Sequence, residues 1–177
     1  MVRAARNARG GGPVEPGVIV RDARPDELAR IGDLRVAAYR ADGFLSAHSR
    51  YAATLHALGA DGTGEVLTAV DGGEVVGTVM LLPWPGGNIT RSPAEAEIRA
   101  LAVAPDARGR GIGAALVTAV IERAAQQGVR HLLLLTLPEM RAAHRLYAGA
   151  GFGRLPGRDV SLGPGEVLLA YGLALAP

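Results

Sequence analysis

Between Glu95 and Gln127 the chain reads EAEIRALAV, then APDAR, then GRGIG, then AALVTAVIERAAQQ. This is an alternating strand, a break, three glycines on alternate positions and a helix. Pro105 cannot donate to a sheet ladder, so the strand stops near Val103. Glycines at 109, 111 and 113 allow the backbone to turn sharply and let a ligand approach without a Cβ in the way. The first turn of the following helix leaves several N–H groups pointing into one concavity, with about half a positive charge worth on the order of 1 kcal/mol to an anion. A chain with this segment at its centre must build an α/β layer with an anion site where strand meets helix. The bland alternative is a glycine turn that only tightens strand–helix packing, with Arg108 and Arg110 in solvent.

Two ligand readings fit the loop. As G-x-G-x-x-A (Gly109, Gly111, Ala114) it satisfies the dinucleotide fingerprint of NAD(P)-type oxidoreductases. As R-x-x-G-x-G (Arg108, Gly111, Gly113) it suggests a different phosphate-bearing cofactor. The dinucleotide reading needs a strand running directly into the first glycine, whereas APDAR intervenes here. It also needs a ribose-binding acid, and Glu139, following Pro138, suits a helix N-terminus better.

The flanks supply the rest of the architecture. GVIVRDA (17–23) is a strand, and RPDELARIGDLRVAAYR (24–40) a helix with Leu28, Ile31, Leu34 and Ala38 on one side. SAHSRYAATLHAL (46–58) reads as a second helix, closed by Gly59. EVLTAV and EVVGTVMLL, joined by DGG, are a hairpin. PWPGGNITRSPA is a loop before the central strand. After the central helix come a buried strand, HLLLLTL, a helix, EMRAAHRLYAGA, and two strands, FGRLPGRDV and EVLLAYGLAL. The order β-α-α-β-β-β-α-β-α-β-β makes a single α/β domain with a mixed sheet. Residues 1–16, rich in Arg, Gly and Pro, read as a disordered tail ahead of a domain at 17–177.

Composition narrows the function. With no Cys there is no disulfide, thiolate nucleophile or Cys-bearing metal site, and no other metal-ligand spacing is present. All 19 basic residues are Arg, three of them (Arg3, Arg6, Arg9) in the tail, which leaves 16 against 17 Asp plus Glu. The near-neutral body and the scarcity of aromatics argue against nucleic acid. No apolar run reaches the ~18 residues of a membrane span, and the N-terminus lacks the apolar core of a secretory signal. The expectation is a cytoplasmic protein with no membrane or nucleic-acid partner.

Two blocks carry a resemblance. AEIRALAVAPDARGRGIGAALV is similar to motif A of the GNAT superfamily, the acetyl-CoA-dependent N-acetyltransferases: V-x-P, then [RQ]-x-x-G-x-[GA], then a helix. AHRLYAGAGF resembles the later family motif, in which a helix ends in L-Y-x-x-x-G-F. The two occur in the family's order, and the resemblance extends over about residues 17–175. It implies a GNAT-like mixed sheet flanked by helices, its fourth and fifth strands splayed, with acetyl-CoA as cosubstrate and no metal.

The resemblance also assigns roles. Backbone groups of Leu101, Ala102 and Val103 hold the pantetheine arm, with the thioester carbonyl facing an amide near Leu101. The loop Arg108, Gly109, Arg110, Gly111, Ile112, Gly113 and Ala114 takes the pyrophosphate. Tyr147 matches the family acid that protonates the departing thiolate; its alternative is to pack on the apolar side of its helix. An alkyl amine near pKa 10.4 needs about 4.6 kcal/mol to lose its proton at pH 7, so a base is required. Glu97 matches the family's catalytic glutamate. It could instead pair with Arg99 on the same strand face, and Glu95 is a weaker substitute. Met140 stands where many members carry a cofactor-contacting Asn. His131 and His144 suit solvated or capping roles, and His48 and His56 make no metal site. The acceptor, a small-molecule or peptide amine, would meet three loops holding Tyr39, Asp42, Phe44, Tyr51, Trp84, Arg91, Arg154 and Arg158. A homodimer is a further family-level expectation. A non-catalytic acyl-CoA-binding module is the rival reading, with Met140 its only hint.

Overall fold

The computed structural model describes residues 17–176; the expected tail at 1–16 lies outside them. Strand β1 (Val18–Asp22) leads through a 3-10 turn at Pro25–Glu27 into α1 (Leu28–Ala41), followed by α2 (Tyr51–Ala57). Then come β2 (Glu65–Asp71), β3 (Glu74–Pro83), β4 (Glu95–Val103), α3 (Ile112–Gln126), β5 (His131–Thr136) and α4 (Arg141–Gly149). The chain closes with β6 (Gly153–Arg154), β7 (Val160–Gly163) and β8 (Glu166–Ala174). The sheet order is β1-β2-β3-β4-β5-β8-β6, with β7 paired to β8. All pairs are antiparallel except β4 with β5. This is the expected α/β domain with a mixed sheet.

Side-chain alternation along β3 and β4 divides the two faces. Val79, Leu81, Ala96 and Ile98 point to one side and join Ile112, Leu116, Val117, Val120 and Ala124 of α3 in the main core, with Leu132 and Leu134 of β5. Each fully buried Val, Leu or Ile among these contributes roughly 1.5–3 kcal/mol. The other face carries Met80, Glu95, Glu97 and Arg99. Against β3 and β4 there packs α1, whose buried residues are Ile31, Gly32, Arg35 and Ala38.

The central parallel pair opens into a fork. Pairing of β4 with β5 runs only from Glu95↔His131 to Ile98↔Leu134. Immediately beyond, β4 carries one residue more than β3: Met80 pairs with Arg99 and Thr78 with Ala102, leaving Ala100 and Leu101 opposite Val79. Ala100 takes a positive φ of 52° in this bulge. An extra residue bends the strand that carries it and breaks its ladder. From Arg99 to Val103 β4 stays on β3, while Leu135 and Thr136 of β5 continue on β8. The expected splay of the fourth and fifth strands is present.

Two expected elements differ. The second helix begins at Tyr51, because Ser46–Arg50 form turns before Leu55 can be buried. The expected strand at FGRLPGRDV is cut into β6, a 3-10 turn at Pro156–Arg158 and the start of β7. Pro156 has no N–H for a ladder, and Arg158 is drawn to Glu95.

Candidate active site

The fork holds a cavity of about 500 Å³, walled by β4 from Ile98 to Val103, by Leu135 and Thr136, and by the first turns of α4. A second cavity, of about 740 Å³, opens towards Asn88, Glu97, Tyr51 and the β7–β8 hairpin. The two share the walls formed by Tyr39, Phe44, Arg99, Ala100, Thr136 and Met140. They therefore meet where the strands part. A two-sided cleft of this kind can hold two reactants end to end.

The glycine loop closes one end. Gly109 and Gly111 sit at φ 79° and 76°, the left-handed region a side chain disfavours. Gly111 is the N-cap of α3. At Gly113 an added Cβ would press on Leu146 at 3.2 Å. The amides of Gly109, Gly111, Ile112, Gly113 and Ala114 donate to no carbonyl among the described residues, leaving a nest of N–H groups for an anion. Arg108 lines the cavity and forks onto Asp42 of the α1 terminus, at 2.6 and 3.1 Å. Arg110 turns outward to Asp71 at 2.8 Å. Arg141, at the start of α4, also lines the same cavity, a position the sequence alone did not single out. Leu101, Ala102 and Val103 also line it, their β5-facing backbone outside the parallel ladder.

Glu97 lies at the other side of the meeting point and is 1% exposed. One carboxylate oxygen accepts from the amides of Asn88 and Ile89, the latter at 3.2 Å. The other oxygen is 3.7 Å from Arg99 Nε, too long for a direct hydrogen bond. The loop can press this closely because position 87 is glycine: a Cβ there would meet Glu97 Cβ at 2.9 Å. Burial pushes the Glu97 carboxyl above the ordinary carboxylate range, against the lowering pull of the Ile89 amide and Arg99. The amides of Asn88 and Ile89 were not legible in a loop of Pro and Gly.

Glu95 behaves differently. Arg158 grips it at 2.8 and 3.3 Å and the Arg91 amide donates at 2.6 Å. Arg158 is the main cause of its lowered pKa. It lines neither cavity.

Tyr147 reaches the first cavity from α4, its ring edge-on to Phe152 with centroids 5.8 Å apart. Burial raises its pKa well above that of a free phenol, so it keeps its proton throughout the working pH range. Its hydroxyl makes no hydrogen bond among the described residues. Met140 sits at the start of α4 and walls both cavities. His144 Nε2 lies 3.0 Å from Leu137 O in the segment before α4, and His131 is exposed at the paired end of β5. No metal-binding cluster of His, Cys, Asp or Glu occurs among the described residues, and no helix among them is long and apolar enough to cross a membrane. Of the expected acceptor residues, Tyr39, Asp42, Phe44 and Tyr51 line the cleft. Arg154 is instead paired with Asp159 and Arg158 with Glu95, and neither they nor Trp84 and Arg91 line either cavity.

Known proteins resemble this chain in sequence and in fold. The family model described as acetyltransferase (GNAT) family matches residues 28–152. A mycothiol acetyltransferase of Sanguibacter keddieii is 33% identical over 148 residues, covering 80% of this chain and 45% of that protein. The chain thus spans about half the length of this curated relative. Among solved structures, a protein assigned to the GNAT family from Desulfovibrio desulfuricans superposes with a TM-score of 0.72 at 20% identity, covering 90% of this chain and 100% of the other. One from Salmonella typhimurium, solved with its cofactor acetyl-CoA, superposes at 0.66 and 20% identity, covering 91% and 95%. These structures share the fold, and the family match takes in β4, the glycine loop, α3, α4 and Tyr147. The chain belongs to the acetyltransferase (GNAT) family.

Proposed function

We propose that the forked cleft binds acetyl-CoA on the glycine-loop side and transfers its acetyl group to a primary amine entering from the Glu97 side. The observation that carries this reading is the placement of Glu97: a buried carboxyl of raised pKa in the wall of the second cavity, two residues before the open edge of β4. Bound acetyl-CoA supplies an acyl group activated as a thioester. The unpaired amides of Gly109, Gly111, Ile112, Gly113 and Ala114 suit its pyrophosphate, with Arg108 and Arg141 as nearby cations. The open backbone edge at Leu101–Val103 suits an extended amide-bearing arm laid down like an added strand.

Glu97 accepts the proton an ammonium must lose before it can attack. Its raised pKa narrows the gap to the amine, and the amides of Asn88 and Ile89 hold its charge in place after water is excluded. Tyr147 presents an O–H to the departing sulfur. Because its pKa is raised further above a thiol's ~8.5, it acts by donating a hydrogen bond to the developing thiolate, not by losing its proton outright. The named mycothiol acetyltransferase relative supports acetyl transfer as the reaction.

Acetyl-CoA should raise the melting temperature of the protein, and an amine panel should then drive thiol release. Tight CoA binding with no thiol released on any amine would favour the non-catalytic module, which the apolar Met140 at the cofactor end would suit. Stabilisation by NAD(P) and not by CoA would contradict both.

A further inference from the structure

Two arginines on the acceptor side have no partner adequate to their charge. Arg99 walls both cavities, and its guanidinium makes no hydrogen bond within the protein among the described residues. Its nearest carboxylate oxygen is the Glu97 atom 3.7 Å from Nε. Within electrostatic reach of it, though lining neither cavity, Arg35 on the buried face of α1 is 0% exposed. Arg35 donates one bond, to Leu58 O at 2.7 Å, while its Nε and second terminal nitrogen have no partner. The groups that act on it electrostatically are Tyr39, Tyr51 and Arg99, all cavity walls. Burial pulls its pKa down to about 10, so the guanidinium stays charged at neutral pH.

Buried N–H groups are nearly always satisfied, and exceptions call for a ligand, an ion or water. The other carboxylates of the second cavity do not neutralise this pair. Glu139 and Glu166 are exposed at its rim and make no ion pair with either arginine among the described residues. The inner end of the acceptor cavity is therefore cationic beside a single high-pKa carboxyl.

From this we infer that the acceptor is an α-amino acid, its free carboxylate received by Arg99, with Arg35 within electrostatic reach, while its amine faces Glu97. The spacing sets the class. Glu97 Oε1 and Arg99 Nε are neighbours, so amine and anion must be neighbours in the ligand, as they are when one carbon joins them. A polyamine, or a lysine side chain remote from any carboxylate, leaves Arg99 unmet. The inference rests on the reading that this cavity admits an amine, but not on turnover.

The test is calorimetric titration of the full-length chain, saturated with coenzyme A, with each proteinogenic L-amino acid against its own carboxamide. At least one amino acid should bind roughly 10- to 100-fold more tightly than its carboxamide, the span expected of charge-assisted hydrogen bonds. Arg99→Gln should abolish that preference and Arg99→Lys should restore part of it. In turnover the loss should fall on KM more than on kcat. Equal binding of acid and carboxamide, no binding of any amino acid, or a preference that survives Arg99→Gln would each overturn the inference. Thiol release on the same panel separates the two readings. Preferential binding without release defeats acetyl transfer but leaves this inference standing; release with carboxamides as readily as with acids does the reverse.

Discussion

Glu95 and Glu97 stand two residues apart on the same face of β4, yet the protein treats them in opposite ways. Around Glu95 the structure supplies a cation: Arg158 reaches across from the 3-10 turn after β6 and also donates to Ile89 O at 2.7 Å, tying the loop before β4 to the C-terminal hairpin. Its carboxylate is held in the charged form. Around Glu97 the structure supplies backbone amides and burial, and the nearest cation is held just out of hydrogen-bond reach. Its carboxyl is pushed towards the neutral form. One glutamate is a fastener and the other is proposed as a proton acceptor, and the difference lies in what the neighbouring loops bring to each.

Substitutions at the two sites should separate these roles. The largest effect is expected from Glu97→Gln, which should lower kcat/KM for amine acetylation by about 10²- to 10⁴-fold with the fold intact, the range of a lost general base. Glu95→Gln should leave the chemical step nearly unchanged; an equal rate loss in the two variants, measured by thiol release, would erase the distinction. Tyr147→Phe should cost about 10- to 100-fold in kcat and, with no hydrogen bond to lose, should leave the melting temperature in place. Full turnover by that variant would remove Tyr147 from the reaction.

Stability should divide the pair the other way. Glu95→Gln breaks a largely buried ion pair and should cost roughly 1–3 kcal/mol, discounted for the partial exposure of Arg158. For a chain of this size that is about 2–12 °C in melting temperature. Glu97→Gln should melt no lower than wild type at pH 8. The pH dependence then has opposite signs. Glu95 has a lowered folded pKa, so its contribution is present above the unfolded value and is lost as pH falls through the folded one. Glu97 has a raised folded pKa, so its charged form costs stability once pH rises through the ordinary carboxylate range to that value. The deficit of Glu95→Gln and any advantage of Glu97→Gln should both shrink towards pH 4. Two gaps of the same sign at pH 8 would contradict the assignment.

Much of this was legible in the residues because local rules carry it. The hairpin at Gly72–Gly73, the strand break at Pro105, the positive φ of Gly109 and Gly111 and the core stripe of α3 follow from backbone sterics and periodicity within a short window. The splayed fork was reached through family resemblance; its structural cause, the bulge at Ala100, gives no such signal, since alanine is no common left-handed residue. Glu97 and Tyr147 were visible as residue types at motif positions. The amides that hold Glu97 were not, because they lie in a loop whose path depends on Gly87 and on Arg158 far along the chain. Arg35 was missed because an arginine on a helix reads as solvated, whereas here the buried face passes through Arg35. Arg154 and Arg158, expected at the acceptor, are instead tied to other groups: Arg154 to Asp159 five residues on, and Arg158 to Glu95 by long-range packing that no spacing announces.

The most direct test of the division between the two glutamates is the pH dependence of kcat/KM for one amine substrate in wild type, Glu95→Gln and Glu97→Gln. Wild type and Glu95→Gln should share a rising limb whose midpoint lies above the ordinary carboxylate range. Glu97→Gln should lose that limb and keep only the rise set by deprotonation of the amine itself. An identical limb in all three proteins would show that Glu97 does not take the proton.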